Sequence, residues 1–225
     1  GRLALYMKTL PVTTLMVDYV EADDVIAYVV SELYEERDKE KIIMSTDKDF
    51  FQLVRPSVKL YRPTKKKLYS AKEVWEEYGV PVHNFTAYRA MLGDSSDNVP
   101  GVDQVGDKRF RDKFGPLAKS ENRVKPADLV EYAEKRSDES AIYERVAGSE
   151  DILERNFKLM ELADGVDISA DVKSQIRDAV REAPDPMSQV QFRKLYMEDK
   201  LFNGIDNPKS FVSRRFSKLD RFTEE

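Results

Sequence analysis

Seven acidic residues gather in three tight groups within the first hundred positions: Glu21, Asp23 and Asp24; Asp47 and Asp49; Asp94 and Asp97. Taken singly, each group can be structural. The first lies at the mouth of the apolar run VIAYVV, where a starting helix presents orphan N–H groups and the positive end of its dipole. Asp94 and Asp97 bracket two serines and can simply form a turn. Taken together, the groups shift the reading toward a metal site. Two carboxylates about 4 Å apart repel by roughly 1 kcal/mol in water and about 4 kcal/mol at an effective dielectric of 20. If the three loops converge, magnesium held by carboxylates and water would offset that repulsion. Two such ions over a phosphodiester would activate a water and stabilise the leaving oxygen. The residue types alone leave both readings open.

Composition narrows the metal. The chain has no cysteine and one histidine, His83, which excludes thiolate and multi-histidine centres and leaves oxygen donors, hence magnesium or manganese. It also bounds the protein class. With 225 residues, 41% hydrophobic and 35% charged, the chain can bury a real core, and no apolar run approaches the roughly 20 residues of a membrane span. The start, GRLALYMKTLPV, has only a broken apolar stretch, so no leader and no membrane partner are expected, and the expected location is cytoplasmic. A net charge of −5 does not advertise nucleic-acid binding, but net charge hides acids in one place and bases in another.

The elements that must position these acids follow from pattern. A β-type run, TTLMV (13–17), precedes the first group, and helical spacing of Val25, Ile26, Val29, Val30, Leu33 and Tyr34 predicts a helix through about Arg37. KIIMST (41–46) reads as a buried strand running into DKDFFQLV, a loop and short helix. Residues 58–70 read as strand, basic turn (Lys65, Lys66, Lys67) and strand. This β-α-β order predicts an α/β core with a mostly parallel sheet, spanning about 1–80. A helical region, 81–225, is expected after it. Ser70 and Glu73 form a capping box, Trp75 is expected to pack its helix on the sheet, and Gly79 and Pro81 end that helix. Phe85, Tyr88, Met91 and Leu92 share a helix face ahead of the loop 93–101. An irregular charged stretch is expected at 117–147, and helices at 150–164, 171–183, 187–200 and 208–220.

Three motifs in order, EADDVIA, STDKDFFQLV and YRAMLGDSSDNVPGVDQVGDK, resemble the 5′ nuclease family. That family includes the 5′-nuclease domain of bacterial DNA polymerase I, phage flap endonucleases and phage ribonuclease H. The resemblance covers about residues 12–115 and extends more weakly through the helical tail. It implies a PIN-like core followed by a helix–three-turn–helix motif at about 93–115, and a magnesium-dependent 5′-3′ exonuclease or flap endonuclease of replication or repair. It implies that Glu21, Asp23 and Asp24 serve a first metal, and that Asp47, Asp49 and Asp97 serve a second, with Asp94 as outer ligand. Manganese would substitute for magnesium. The substrate would be a DNA flap, nick or duplex end, or an RNA–DNA hybrid. The segment 101–106 would be the hairpin that meets DNA phosphates through Gly101, Val105 and Gly106, with Lys108 and Arg109 beside it and a potassium ion in the turn.

Two departures qualify the expectation. Gln104 stands where the family carries glycine, and Asp103 and Asp107 dilute the hairpin's positive field. The family's N-terminal strands, with their aspartates, and its helical arch have no counterpart before LALYMKTLPV. The chain therefore resembles the C-terminal two-thirds of a 5′ nuclease, and a separate N-terminal nuclease fragment is an expected partner. Reduced activity of this chain alone is expected, and the competing reading is a catalytically impaired module that binds DNA junctions.

Overall fold

The computed structural model describes residues 1–34, 39–163, 168–201 and 204–223. In chain order the elements are α1 (Arg2–Met7), α2 (Ala22–Tyr28), β1 (Lys41–Met44), β2 (Val58–Arg62), β3 (Lys67–Tyr69), α3 (Ala71–Tyr78), α4 (Phe85–Leu92), β4 (Gly93–Asp94) and β5 (Val99–Pro100). There follow α5 (Asp107–Ala118), α6 (Pro126–Glu134), α7 (Ala141–Ala147), α8 (Glu150–Met160), α9 (Ala170–Arg181), α10 (Gln189–Glu198) and α11 (Pro208–Phe216). They form two units: 1–21 with 168–225, and 22–167. The division expected near residue 80 falls inside the second unit, where the sheet and the helices α3 to α8 share one core.

That core is built from alternation and from aromatic rings. In β2, Val58, Leu60 and Arg62 are buried and the residues between them are not, as a period of two requires. Phe51 is fully buried, and its ring meets Tyr69, Tyr78 and Phe85 at centroid distances of 4.9, 5.3 and 5.1 Å. The chain continues through Tyr88, Phe110 and Phe114 to Tyr143, so one aromatic file runs from the sheet into the helices. The smaller unit has its own cluster, centred on Leu10, Phe192 and Val212.

The sheet corrects the expectation of mostly parallel strands. Its order is β1-β2-β3, with β1 and β2 parallel but β2 and β3 antiparallel. One residue row crosses all three strands, Met44, Tyr61 and Leu68, and with Ile42 it makes the sheet's outer face. Ile42 is 54% and Met44 70% exposed, whereas a parallel pair is normally covered on both faces.

Other expectations are also corrected. Residues 13–17 form no strand, because a β-type run is only a strand when a partner ladder takes its N–H and C=O groups, and no described strand pairs with it. The helix from Ala22 is regular only to Tyr28 and continues as a π-helical turn, Val29–Leu33; its expected end at Arg37 lies outside the described residues. The stretch 117–147 is not irregular but holds α6 and α7, which bury Leu129, Ala133, Tyr143 and Val146 beneath their charged faces. Trp75 lies on the surface, 43% exposed, with Lys119 over its ring, while Val74 and Tyr78 do the packing. The Ser70–Glu73 capping box forms as expected, and Gly79 ends α3 at φ 66°.

Two buried amides join distant pieces of this unit. Gln52 donates to the Met160 carbonyl at 2.7 Å and accepts from Thr86 and from Leu162 N–H. Asn156, wholly buried on α8, donates to the carbonyls of Ala90 and Pro100, both at 2.9 Å. Replacing Asn156 with alanine leaves two buried acceptors unpaired, at a cost of about 2–4 kcal/mol. Urea denaturation monitored by circular dichroism checks this, and a cost below about 1 kcal/mol would mean that Asn156 does not clamp α8 to the loop.

Candidate active site

Two loops that are far apart in sequence meet around α4. The first leaves β1 and carries Asp47, Lys48 and Asp49; an Asx-type bond from Asp49 N–H to Asp47 Oδ1 at 2.8 Å tightens it into the following 3₁₀ turn. The second is the turn between β4 and β5. Gly93 holds φ 71° there, and a Cβ on Gly93 would lie 2.3 Å from Gly101 N. A Cβ on Gly101 would lie 2.3 Å from the Leu92 carbonyl oxygen. Both glycines are thus required by backbone meeting backbone, which closes the loop that carries Asp94 and Asp97.

The joint between the loops is Arg89, on the inward face of α4 and 5% exposed. Its Nε donates to Asp49 Oδ1 at 2.8 Å, its Nη2 to Asp94 Oδ2, and its Nη1 to the Gly93 carbonyl at 3.3 Å. Burial pushes the Asp49 carboxyl up to about 6, more than Arg89 pulls it down, and Asp47 and Asp94 add to the rise. Partial burial works on Asp94 in the same sense, but hydrogen bonds from Ser96 and Arg89 outweigh it and hold Asp94 down to about 2. One guanidinium therefore faces two acids of opposite character.

Beside this joint lies a polar cleft of about 350 Å³, lined by Asp47, Lys48, Arg62, Asp94, Ser96 and Asp97, with Thr46. Of the acids predicted from sequence, then, Asp47, Asp94 and Asp97 share one cleft and Asp49 adjoins it through Arg89. Asp23 and Asp24 lie in the first turn of α2, where Asp23 accepts from the Asp24 N–H at 3.0 Å, and exposed Glu21 precedes that turn. By donor chemistry the set suits a hard divalent cation, since every donor is a carboxylate oxygen. By spacing, no three acidic side chains among the described residues form a group that could hold a metal ion.

At the hairpin, Gly106 caps α5 and Val105 is buried, its N–H given to the Val102 carbonyl. Gln104 adopts φ 60°, the left-handed conformation that explains why glycine would suit that position, and its carbonyl accepts from Arg109 at 2.6 Å. Lys108 is exposed. Lys65 and Lys67 of the basic turn are paired with Glu77, and His83 Nε2 lies 2.9 Å from the Ser120 carbonyl.

Sequence reasoning missed Arg89 and Arg62. Both were signalled: Arg89 is the charged residue in the apolar helix FTAYRAML, and Arg62 occupies an inward position of β2 after Val58 and Leu60.

Removing one partner of a buried ion pair is costly, so Arg89→Met is expected to lose about 3–5 kcal/mol. In metal-free protein, carboxyl ¹³C shifts of Asp49 should titrate with a midpoint near pH 6, and that midpoint should rise in Arg89→Lys if the guanidinium fork is what restrains it. An Asp49 midpoint near 4 would show that burial does not govern this group.

Residues 2–79 match the family model of the 5′-3′ exonuclease N-terminal resolvase-like domain. A 5′-3′ exonuclease of Aquifex aeolicus is 31% identical over 186 residues, which is 81% of this chain and 60% of that protein. A thermostable DNA polymerase I of Thermus filiformis is 39% identical over 115 residues, 48% of this chain and 14% of that protein. Among solved structures, the T5 5′-exonuclease with divalent zinc ions bound has a TM-score of 0.58 and 25% identity, covering 76% of this chain and 63% of that one. The chain thus spans between 14% and 60% of the length of the curated relatives named here. No described helix is long and apolar enough to cross a membrane. Over residues 2–79 the chain thus resembles the N-terminal domain of 5′-3′ exonucleases, and over most of its length it is similar to a 5′-3′ exonuclease and to the T5 5′-exonuclease fold.

Proposed function

We propose that this chain is the larger part of a divalent-metal-dependent 5′ nuclease that hydrolyses phosphodiesters at flaps, nicks or 5′ ends of DNA, or in RNA–DNA hybrid, during replication or repair. The observation that supports it most is the cleft shared by Asp47, Asp94 and Asp97, in loops that the buried Arg89 ties together. The zinc-bound T5 5′-exonuclease, of like fold, supports a divalent ion in such a protein.

In this reading Asp47, Asp49 and Asp97 would hold one ion with Asp94 as its outer ligand, and Glu21, Asp23 and Asp24 would hold the other, each set drawing closer than the open spacing of the described side chains. Magnesium, or manganese in its place, would supply Lewis acidity and a bound water more acidic than bulk water. The chain's own residues do the positioning. Asp94, held down to about 2, stays anionic throughout the physiological range, and Arg89 fixes its separation from Asp49. Gly101, Val105 and Gly106 shape the hairpin, where Lys108 and Arg109 would meet the phosphates of the duplex and the turn would take a potassium ion. The exposed sheet face at Ile42, Met44 and Leu68 is where a further segment of the nuclease, in the same polypeptide or as a separate chain, would pack.

A second reading is favoured by the spacing of the acids: a DNA-junction module whose metal site is too open for efficient cleavage. Cleavage of a 5′-flap duplex in magnesium separates the two. The nuclease reading expects slow cleavage by this chain, lowered about 100-fold or more by Asp47→Asn and by Asp97→Asn, with DNA affinity in EDTA nearly unchanged. Salt-dependent DNA binding with no metal-dependent cleavage would establish the second reading. Cleavage that survives both substitutions would remove these residues from the site.

A further inference from the structure

Arg62 is the last residue of β2 and 7% exposed. Its Nη2 donates to the Thr46 carbonyl at 2.8 Å, and its guanidinium lies 5.8 Å from the centroid of the Phe51 ring. Its Nε and Nη1 are buried without any hydrogen-bond partner, and no described carboxylate forms an ion pair with it. Arg89, equally buried, is met by two acids. An unmatched buried charge costs several kcal/mol, and folds rarely retain one without a use for it. Arg62 lines the same cleft as Asp47, Asp94 and Asp97, with Lys48 on the exposed side. The cleft thus combines carboxylates suited to cations with a guanidinium suited to an anion.

We infer that Arg62, with Lys48, forms a phosphate subsite of this cleft and takes a non-bridging oxygen of the phosphodiester. The subsite needs the guanidinium to turn toward the cleft, since Nε and Nη1 are shielded in this structure; that its natural occupant is the scissile or adjoining phosphate of a nucleic-acid strand rests on the nuclease reading. A guanidinium matches tetrahedral oxyanions through directed N–H donors, which an ammonium cannot reproduce. It also offsets the repulsion that a phosphate meets on approaching three carboxylates. Arg62 is in this sense a binding and positioning residue.

The test combines stability, a ligand signal and kinetics. Arg62→Met removes a buried unmatched charge, so its melting temperature is expected to equal or exceed that of the parent. The Arg62 Nε–H resonance of the parent is expected to shift when inorganic phosphate is titrated in the presence of magnesium. On a 5′-flap duplex, Arg62→Met should raise KM roughly ten- to hundredfold with little change in kcat, and Arg62→Lys should recover part of the loss. A melting temperature several degrees lower with unchanged KM would make Arg62 structural and overturn the inference. So would a resonance indifferent to phosphate, which would point to an ordered water on these nitrogens. If the parent shows no cleavage but the resonance responds, the subsite stands and the nuclease reading fails. If cleavage is normal and neither KM nor the resonance depends on Arg62, the reverse holds.

Discussion

Everything at the candidate site depends on one buried cation. Arg89 projects from α4 between a loop that follows β1 and a loop that follows α4 itself, and it satisfies a carboxylate on each. Without it, Asp49 and Asp94 would be two negative charges, mostly shielded from water, with nothing to hold them near each other. The desolvation of the guanidinium and of Asp49 is large, which is why Asp49 remains easy to protonate despite its partner. Such a pair adds little net stability compared with an apolar substitute. Its contribution is to position: it makes the distance between two acid loops a property of the helix rather than of either loop.

That positioning would be useless if α4 could slide. Gln52 and Asn156 prevent this from opposite ends, one bonding the turn after Asp49 to α4 and to the end of α8, the other bonding α8 to the carbonyls of Ala90 and Pro100. Both amides are fully engaged, and both use backbone carbonyls that the surrounding elements leave over. The acids therefore sit on loops, where chemistry needs reach, while the residues that fix them sit on helices, where backbone motion is least.

How much of this was legible depends on whether the signal was local. The capping box at Ser70, the strand alternation in β2 and the helix of Phe85, Tyr88, Met91 and Leu92 were readable because each is decided by residues within a few positions. The run 13–17 was misread because a strand is defined by its partner, and propensity carries no information about which ladder is present. Residues 117–147 were misread because their charge density masked the spacing of Leu129, Val130, Ala133, Tyr143 and Val146. The grouping of the acids along the chain was legible, since it is a matter of type and order. Their mutual spacing was not, because it is set by Arg89, 40 residues from Asp49 in sequence, and by two glycines whose backbones touch.

Arg62 and Arg89, both buried, together explain why the cleft carries both signs of charge. Asp49 and Asp94 are matched by Arg89, which leaves Asp47 and Asp97 as acids lining the cleft with no ion pair among the described residues, and Arg62 as the buried cation there with no acid among them. If the purpose were stability, the simplest arrangement would pair Arg62 with one of them; strand β2 and the loop after β1 are neighbours in the sheet, and Arg62 already reaches the Thr46 carbonyl, one residue from Asp47. The fold instead keeps the two signs apart across a space of about 350 Å³. A ligand that presents an anionic oxygen to the arginine while sharing a divalent cation with the carboxylates satisfies both at once. A phosphate group with its metal answers that description, and neither a free carboxylate nor a lone cation would fill both roles.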